Sequence, residues 1–118
     1  MKQLINSFKH ATEGIITTIC VEQNVKIQVL AMICTVILGL VLKLSQIEWI
    51  ICILLFGGVI SAEMFNTSLE KTLDYINTEY DEKIKFIKDA SAGAVLVLAN
   101  TSAIIGLIIF IPKIISSI

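Results

Sequence analysis

Glu63, Asn66, Glu70 and Asp74 recur at i, i+3, i+7 and i+11 in the run AEMFNTSLEKTLD, which continues directly out of an apolar span. At about 100° per residue their directions fall within roughly 80° of arc on one helix face. Carboxylates at the edge of a membrane span are costly to place there, which makes them functional candidates. Three carboxylates and an amide on one stripe supply hard oxygen donors and a proton acceptor. That equipment suits a metal-assisted acid/base site at a membrane surface.

Other side chains can join the stripe. Glu22 lies in VEQNVK, between the opening segment and the first apolar span. If packing brings Glu22 and Glu70 together, they suit Mg²⁺, which takes one or two carboxylates along with substrate phosphates. Singly, Glu22 also reads as a snorkelling charge at a helix junction, and Glu70 as part of a solvated face. Glu63 lies nearest the hydrocarbon, a position that suits a general base; its competing role is a structural hydrogen bond to a neighbouring helix. Asn66, one turn on, can orient Glu63, a metal or a phosphate, or act as interhelical glue. Lys88 can meet phosphate oxygens as a point charge, and Asp89 can cap a helix or hold a donor. The plainer reading of the pair is an interfacial lysine with a neutralising neighbour.

The totals say what must position these residues. The chain has 118 residues, enough for a single domain over 1–118, and is 56% hydrophobic and 16% charged, with mean hydropathy +0.88. Such a composition calls for lipid as the solvent. A net charge of −1 with scattered lysines leaves no nucleic-acid footprint. Cys20, Cys34 and Cys52 sit in apolar surroundings without CxxC spacing and read as small apolar side chains. His10 alone cannot build a zinc site. GxGxxG, GxxxxGK[ST] and GxSxG are all absent, so any nucleotide is held without a familiar phosphate loop.

Residues 1–20 carry an apolar stripe (Leu4, Ile5, Phe8, Ala11, Ile15, Ile16, Ile19) with a helical period, which predicts an amphipathic helix lying in the interface. A signal peptide is the alternative, opposed by the interrupting polar residues and the lack of a small-residue cleavage site. Three spans are expected, over about 27–44, 47–65 and 92–111, with helical periodicity continuing past Glu63 to about Ile76. A short turn near Ser45-Gln46 and a polar loop over 77–82 join them. The third helix is expected to end at Pro112-Lys113, and Asn100, Thr101 and Ser102 to bond a neighbouring helix or a backbone carbonyl within the bilayer. Seven lysines (2, 9, 26, 71, 83, 85 and 88) fall on one side, with Lys43 and Lys113 on the other. The seven-lysine side, which holds the carboxylate stripe, is therefore expected to be cytoplasmic. Gly57-xxx-Ser61, Gly58-xxx-Ala62 and Ala90-xxx-Ala94 permit close helix contact and self-association.

The combined pattern resembles the small prokaryotic integral-membrane lipid kinases, the diacylglycerol kinase and undecaprenol kinase family. The residues that carry the likeness are EQNVKIQ from Glu22, EMFNTSLEKTLD from Glu63 and KDASAGAV from Lys88, matching ExxNxxxExxxD followed by KDxxxxAV. Asp74 and Lys88 are fourteen residues apart, as that signature requires. The resemblance implies an all-α membrane protein, a surface helix plus three transmembrane helices, assembled as a homotrimer with active sites shared between subunits. It implies transfer of the γ-phosphate of MgATP directly to a lipid hydroxyl in the bacterial cytoplasmic membrane. Glu63 would be the catalytic base, and Glu22 and Glu70 would hold Mg²⁺. His10, Glu22, Asn66, Glu70, Asp74, Glu79, Tyr80, Asp81, Lys88 and Asp89 would line the ATP site, and Gly14, Glu63 and Ala92 the lipid.

Gln28, Asp81 and His10 depart from the Gram-negative diacylglycerol kinases, where glutamate, histidine and tyrosine stand. These departures, with the FKHA and FIPK segments at the two ends, favour undecaprenol as substrate over diacylglycerol. A non-enzymatic oligomer or a channel lined by Glu63 and Asn100 is the alternative from a different class. A pore needs polar residues along the length of a span, whereas here they gather at one end.

Overall fold

Residues 1–118 are described by a computed structural model in which α1 (Lys2–Val21), α2 (Gln23–Leu42), α3 (Gln46–Ile76) and α4 (Glu82–Ser117) follow one another through short connections. A single residue, Glu22, separates α1 from α2; its extended backbone (φ −93°, ψ 117°) breaks the helix and lets the chain turn. None of the residues of α1 is buried, as expected for a helix whose apolar face meets lipid headgroups and not protein.

The helices α2, α3 and α4 are each long and apolar enough to cross a membrane. At 1.5 Å per residue the 20 residues of α2 match a hydrocarbon core of roughly 30 Å. With 31 and 36 residues, α3 and α4 overshoot it. Both overshoot at the same end, because the C-terminal part of α3 and the N-terminal part of α4 adjoin the connection at 77–81. The polar stripe of α3 therefore projects out of the lipid alongside α4, with which α3 makes its most extensive contact. Only 10 of the 118 residues are buried in one protomer, so most apolar surface is left for lipid or for other subunits.

The opposite end is clamped. Lys43, in the left-handed region (φ 59°, ψ 64°), closes α2, and the Lys43 and Leu44 N–H groups both donate to the Gly39 carbonyl. Ser45 then caps α3: its hydroxyl accepts from the Glu48 N–H at 3.2 Å while Glu48 Oε1 accepts from the Ser45 N–H at 2.9 Å. Lys113 from the end of α4 reaches the same carboxylate oxygen at 3.0 Å. Beneath lies a cluster of Leu44, Cys52, Ile109 and Phe110, with Trp49 packed against it. A Cβ on Gly39 would stand 2.8 Å from Trp49 Cη2 and 2.9 Å from Leu44 Cδ1. Gly39→Ala should therefore cost about 1–3 kcal/mol through overpacking, read as a lower thermal midpoint in detergent.

The expected spans correspond to α2, α3 and α4, although the first, expected to reach 44, stops at Leu42 where Lys43 turns left-handed; α3 runs to Ile76 as the periodicity predicts. The third helix differs: it does not end at Pro112-Lys113 but continues to Ser117. Proline removes one hydrogen bond, and the Lys113–Glu48 ion pair anchors the turn that follows it. Within the bilayer, Thr101 and Ser102 donate to the carbonyls of Val97 and Leu98 in their own helix, at 2.8 and 2.9 Å. A Cβ on Gly58 would approach Leu98 Cδ2 at 3.3 Å, so that small residue serves packing of α3 on α4 within the chain; Gly57 has open space beside it.

Candidate functional site

Glu63 stands where α3 leaves the apolar span, and it is 3% exposed. Its partners come from the first turns of α2: Asn24 Nδ2 donates to Oε1 at 3.4 Å and Gln28 Nε2 donates to Oε2 at 3.5 Å. Asn24 and Gln28 are four apart and so share a face. The chain's three lysine–carboxylate ion pairs all lie elsewhere. A buried carboxylate held by neutral amides, with no counter-ion, keeps its oxygens free of an ion pair and able to take a proton. Both amides lie in the EQNVKIQ segment that carries the family likeness, but the sequence reading gave neither of them a role beside Glu63. The available signal was their four-residue spacing just inside an apolar span, where polar side chains need partners.

One turn on, Asn66 is also buried, and its Nδ2 donates to Glu70 Oε1 at 3.2 Å. Its Oδ1 is buried without a partner. An unmet amide oxygen beside a carboxylate is a hard donor pair that a small divalent cation would satisfy. Glu22 lines a polar cleft between α1 and α3 together with His10, Gly14, Thr67, Ser68 and Lys71. Thr67, Ser68 and Lys71 neighbour Glu70 in the sequence of α3, but neither Glu70 nor Asn66 lines this cleft. No group of three His, Cys, Asp or Glu side chains comes together in the protomer. The protomer thus pairs Asn66 with Glu70 but does not bring Glu22 together with them.

Farther out, Asp74 on α3 and Lys88 on α4 form an ion pair at 2.6 Å, fastening the two helices where they project beyond the lipid. Asp89 pairs instead with Lys85 on its own helix, also at 2.6 Å. Asp81 is the N-cap of α4: Oδ1 accepts from the Lys83 N–H at 2.8 Å and the Ile84 N–H at 3.4 Å. Glu79 and Tyr80 are exposed on the connection, the Glu79 N–H donating to Asn77 Oδ1 at 2.9 Å. His10 faces Glu13 at 3.6 Å across one turn of α1. Gly14 and Ala92 are exposed, and nothing lies within 4 Å of a Cβ placed on Gly14. From Glu63 to Asp74 the stripe is about 16 Å long at 1.5 Å per residue.

Residues 9–110 match the family described as prokaryotic diacylglycerol kinase. The undecaprenol kinase of Bacillus subtilis (strain 168) is 43% identical over 113 residues, covering 96% of this chain and 92% of that protein. The diacylglycerol kinase of Synechocystis sp. (strain ATCC 27184 / PCC 6803 / Kazusa) is 29% identical over 114 residues, covering 96% of this chain and 65% of that one. With the family pattern spread over nearly all of its length and the polar stripe at the end of its second membrane span, this chain belongs to the prokaryotic diacylglycerol kinase family.

Proposed function

We propose that this protein transfers the γ-phosphoryl group of MgATP directly to the primary hydroxyl of undecaprenol, at the cytoplasmic face of the bacterial membrane. The observation that carries the reading is Glu63: a buried carboxylate without a counter-ion, at the boundary where a lipid hydroxyl and a water-borne nucleotide can meet. The lipid oxygen bonds to the γ-phosphorus as the bond to ADP breaks, and Glu63 takes the hydroxyl proton. No phosphoenzyme is required, because phosphoryl transfer asks of a protein mainly in-line positioning and charge stabilisation.

Glu22 and Glu70 would hold Mg²⁺, with the unpartnered Asn66 Oδ1 as a further oxygen donor. Bound there, the cation would neutralise charge on the β- and γ-phosphates. Lys88, now held by Asp74, is the cation available to phosphate oxygens, and Asp89, His10, Glu79, Tyr80 and Asp81 would border the nucleotide. Gly14 and Ala92 would face the lipid. The family resemblance implies a homotrimer, whose neighbours would complete each site, and the exposed apolar faces leave room for them. The choice of undecaprenol draws on the undecaprenol kinase relative, which is similar over almost its whole length.

The test is transfer of radiolabelled phosphate from MgATP in mixed micelles holding undecaprenol or diacylglycerol. Undecaprenol is expected to accept label at least tenfold faster. Faster labelling of diacylglycerol would overturn the substrate, and labelling of neither by a folded protein would overturn the kinase reading.

A further inference from the structure

Between α2, α3 and α4 runs an apolar groove of ≈ 310 Å³, with Gln28 at one end and Cys52, Ile109 and Phe110 toward the other. Two hydroxyl residues line it, yet both are turned inward: Thr35 donates to the Ala31 carbonyl at 2.8 Å and Ser102 to the Leu98 carbonyl at 2.9 Å. Small residues on the walls leave the room; a Cβ on Gly106 would meet no atom within 4 Å. One polar atom remains uncommitted. Gln28 Oε1 is buried and unpartnered, while Nε2 of the same side chain holds Glu63.

A groove that is apolar throughout and polar only beside the proton acceptor has the pattern of a hydrocarbon chain ending in an alcohol. Building on the prenol-kinase reading above, we infer that this groove seats the first isoprene units of the substrate as a single chain, with Gln28 as the residue that positions its hydroxyl. The arriving hydroxyl donates to Gln28 Oε1, which supplies the hydrogen bond that the buried oxygen lacks. Because the alcohol has a single O–H, that bond holds it only before reaction: the hydroxyl then turns its proton from Gln28 Oε1 to the neighbouring Glu63 carboxylate, which receives it as the oxygen–phosphorus bond forms. The groove is a single slot between three helices. Continuity with Glu63 through Gln28 favours the substrate chain as occupant over a helix of a second copy, which would leave Gln28 Oε1 unmet.

The experiment uses the full-length protein in nanodiscs and compares geraniol with undecaprenol. Gly106→Leu places a side chain in the open groove. By helix rise it sits about 10 Å beyond Ala99 on the same wall, past the reach of the short prenol. The expected result is at least a tenfold loss of kcat/KM on undecaprenol with less than a twofold loss on geraniol. Equal loss on both, or on neither, would overturn the groove as the chain site. A second readout needs no turnover: a long prenol carrying a diazirine in its third isoprene unit, beyond the length of geraniol, should photolabel α2, α3 or α4 at groove residues, and Gly106→Leu should abolish that labelling. Label outside the groove while phosphate transfer proceeds would overturn the inference and spare the kinase reading. Label in the groove without transfer would uphold the inference and sink that reading. Gln28→Ala should raise KM for both prenols at least tenfold and leave KM for ATP unchanged; a parallel rise for ATP would overturn the positioning role.

Discussion

Glu63→Gln is expected to lower kcat for phosphate transfer by about 10²–10⁴-fold, the range lost when a positioned general base is removed. At 1.36 kcal/mol per tenfold, that is roughly 3–5 kcal/mol of barrier. The substitution keeps the volume of the side chain and removes its ability to take a proton. Its amide oxygen can still accept from Asn24 or Gln28, so one of the two bonds to α2 persists. Replacing a buried charge by a neutral amide does not open a cavity, and helix content and oligomer size should stay as in the parent. The KM for ATP should also stay, because the nucleotide side of the stripe is untouched. Glu63→Asp gives a second point: the acid is retained but withdrawn by one methylene, and a misplacement of about 1 Å is enough to cost on the order of 10²-fold. More than a tenth of the parent kcat in the glutamine variant would remove Glu63 from the proton transfer.

The polar stripe is legible in the sequence because residues four and seven apart on a helix must share a face, whatever the helix packs against. Glu63, Asn66, Glu70 and Asp74 therefore follow from spacing alone. The spans were equally plain, since about twenty apolar residues are required by the bilayer itself. The partners of the stripe were less accessible. Asn24 and Gln28 meet Glu63 only because α2 returns antiparallel to α3 at that height, and nothing local to either residue carries that information. Asp74 and Lys88 join through a pairing across two helices that their separation permits but does not require. The helix beyond Pro112 was missed for a related reason. Proline is a strong local signal to stop, yet the helix runs on to Ser117 past the one lost hydrogen bond, with Lys113 in the following turn paired to Glu48 on α3. In each case the unread part is tertiary contact completing a local pattern.

Glu70→Gln is expected to raise the Mg²⁺ concentration needed for half-maximal transfer by 10–100-fold or more. Losses of that size follow even the removal of groups one step away from a metal, and a carboxylate in direct contact should matter at least as much, because charge count is a main control of affinity at oxygen sites. The substitution preserves shape, and an amide at position 70 can still accept from Asn66 Nδ2, which donates to Glu70 Oε1 at 3.2 Å in the parent. The expected defect is thus in cation affinity and not in folding, and part of the rate should return at high Mg²⁺. Asn66→Ala separates two roles for the amide. If Asn66 Oδ1, buried and unpartnered, is a donor to the cation, the alanine variant should shift the Mg²⁺ requirement in the same direction. If Asn66 only steadies Glu70, thermal stability should fall while the Mg²⁺ dependence stays put. For Glu70, titration of Mg²⁺ at saturating ATP decides the matter. An unchanged midpoint with a reduced maximum would show that Glu70 does not hold the cation, and would move the carboxylate to the nucleotide or the transferring phosphoryl group.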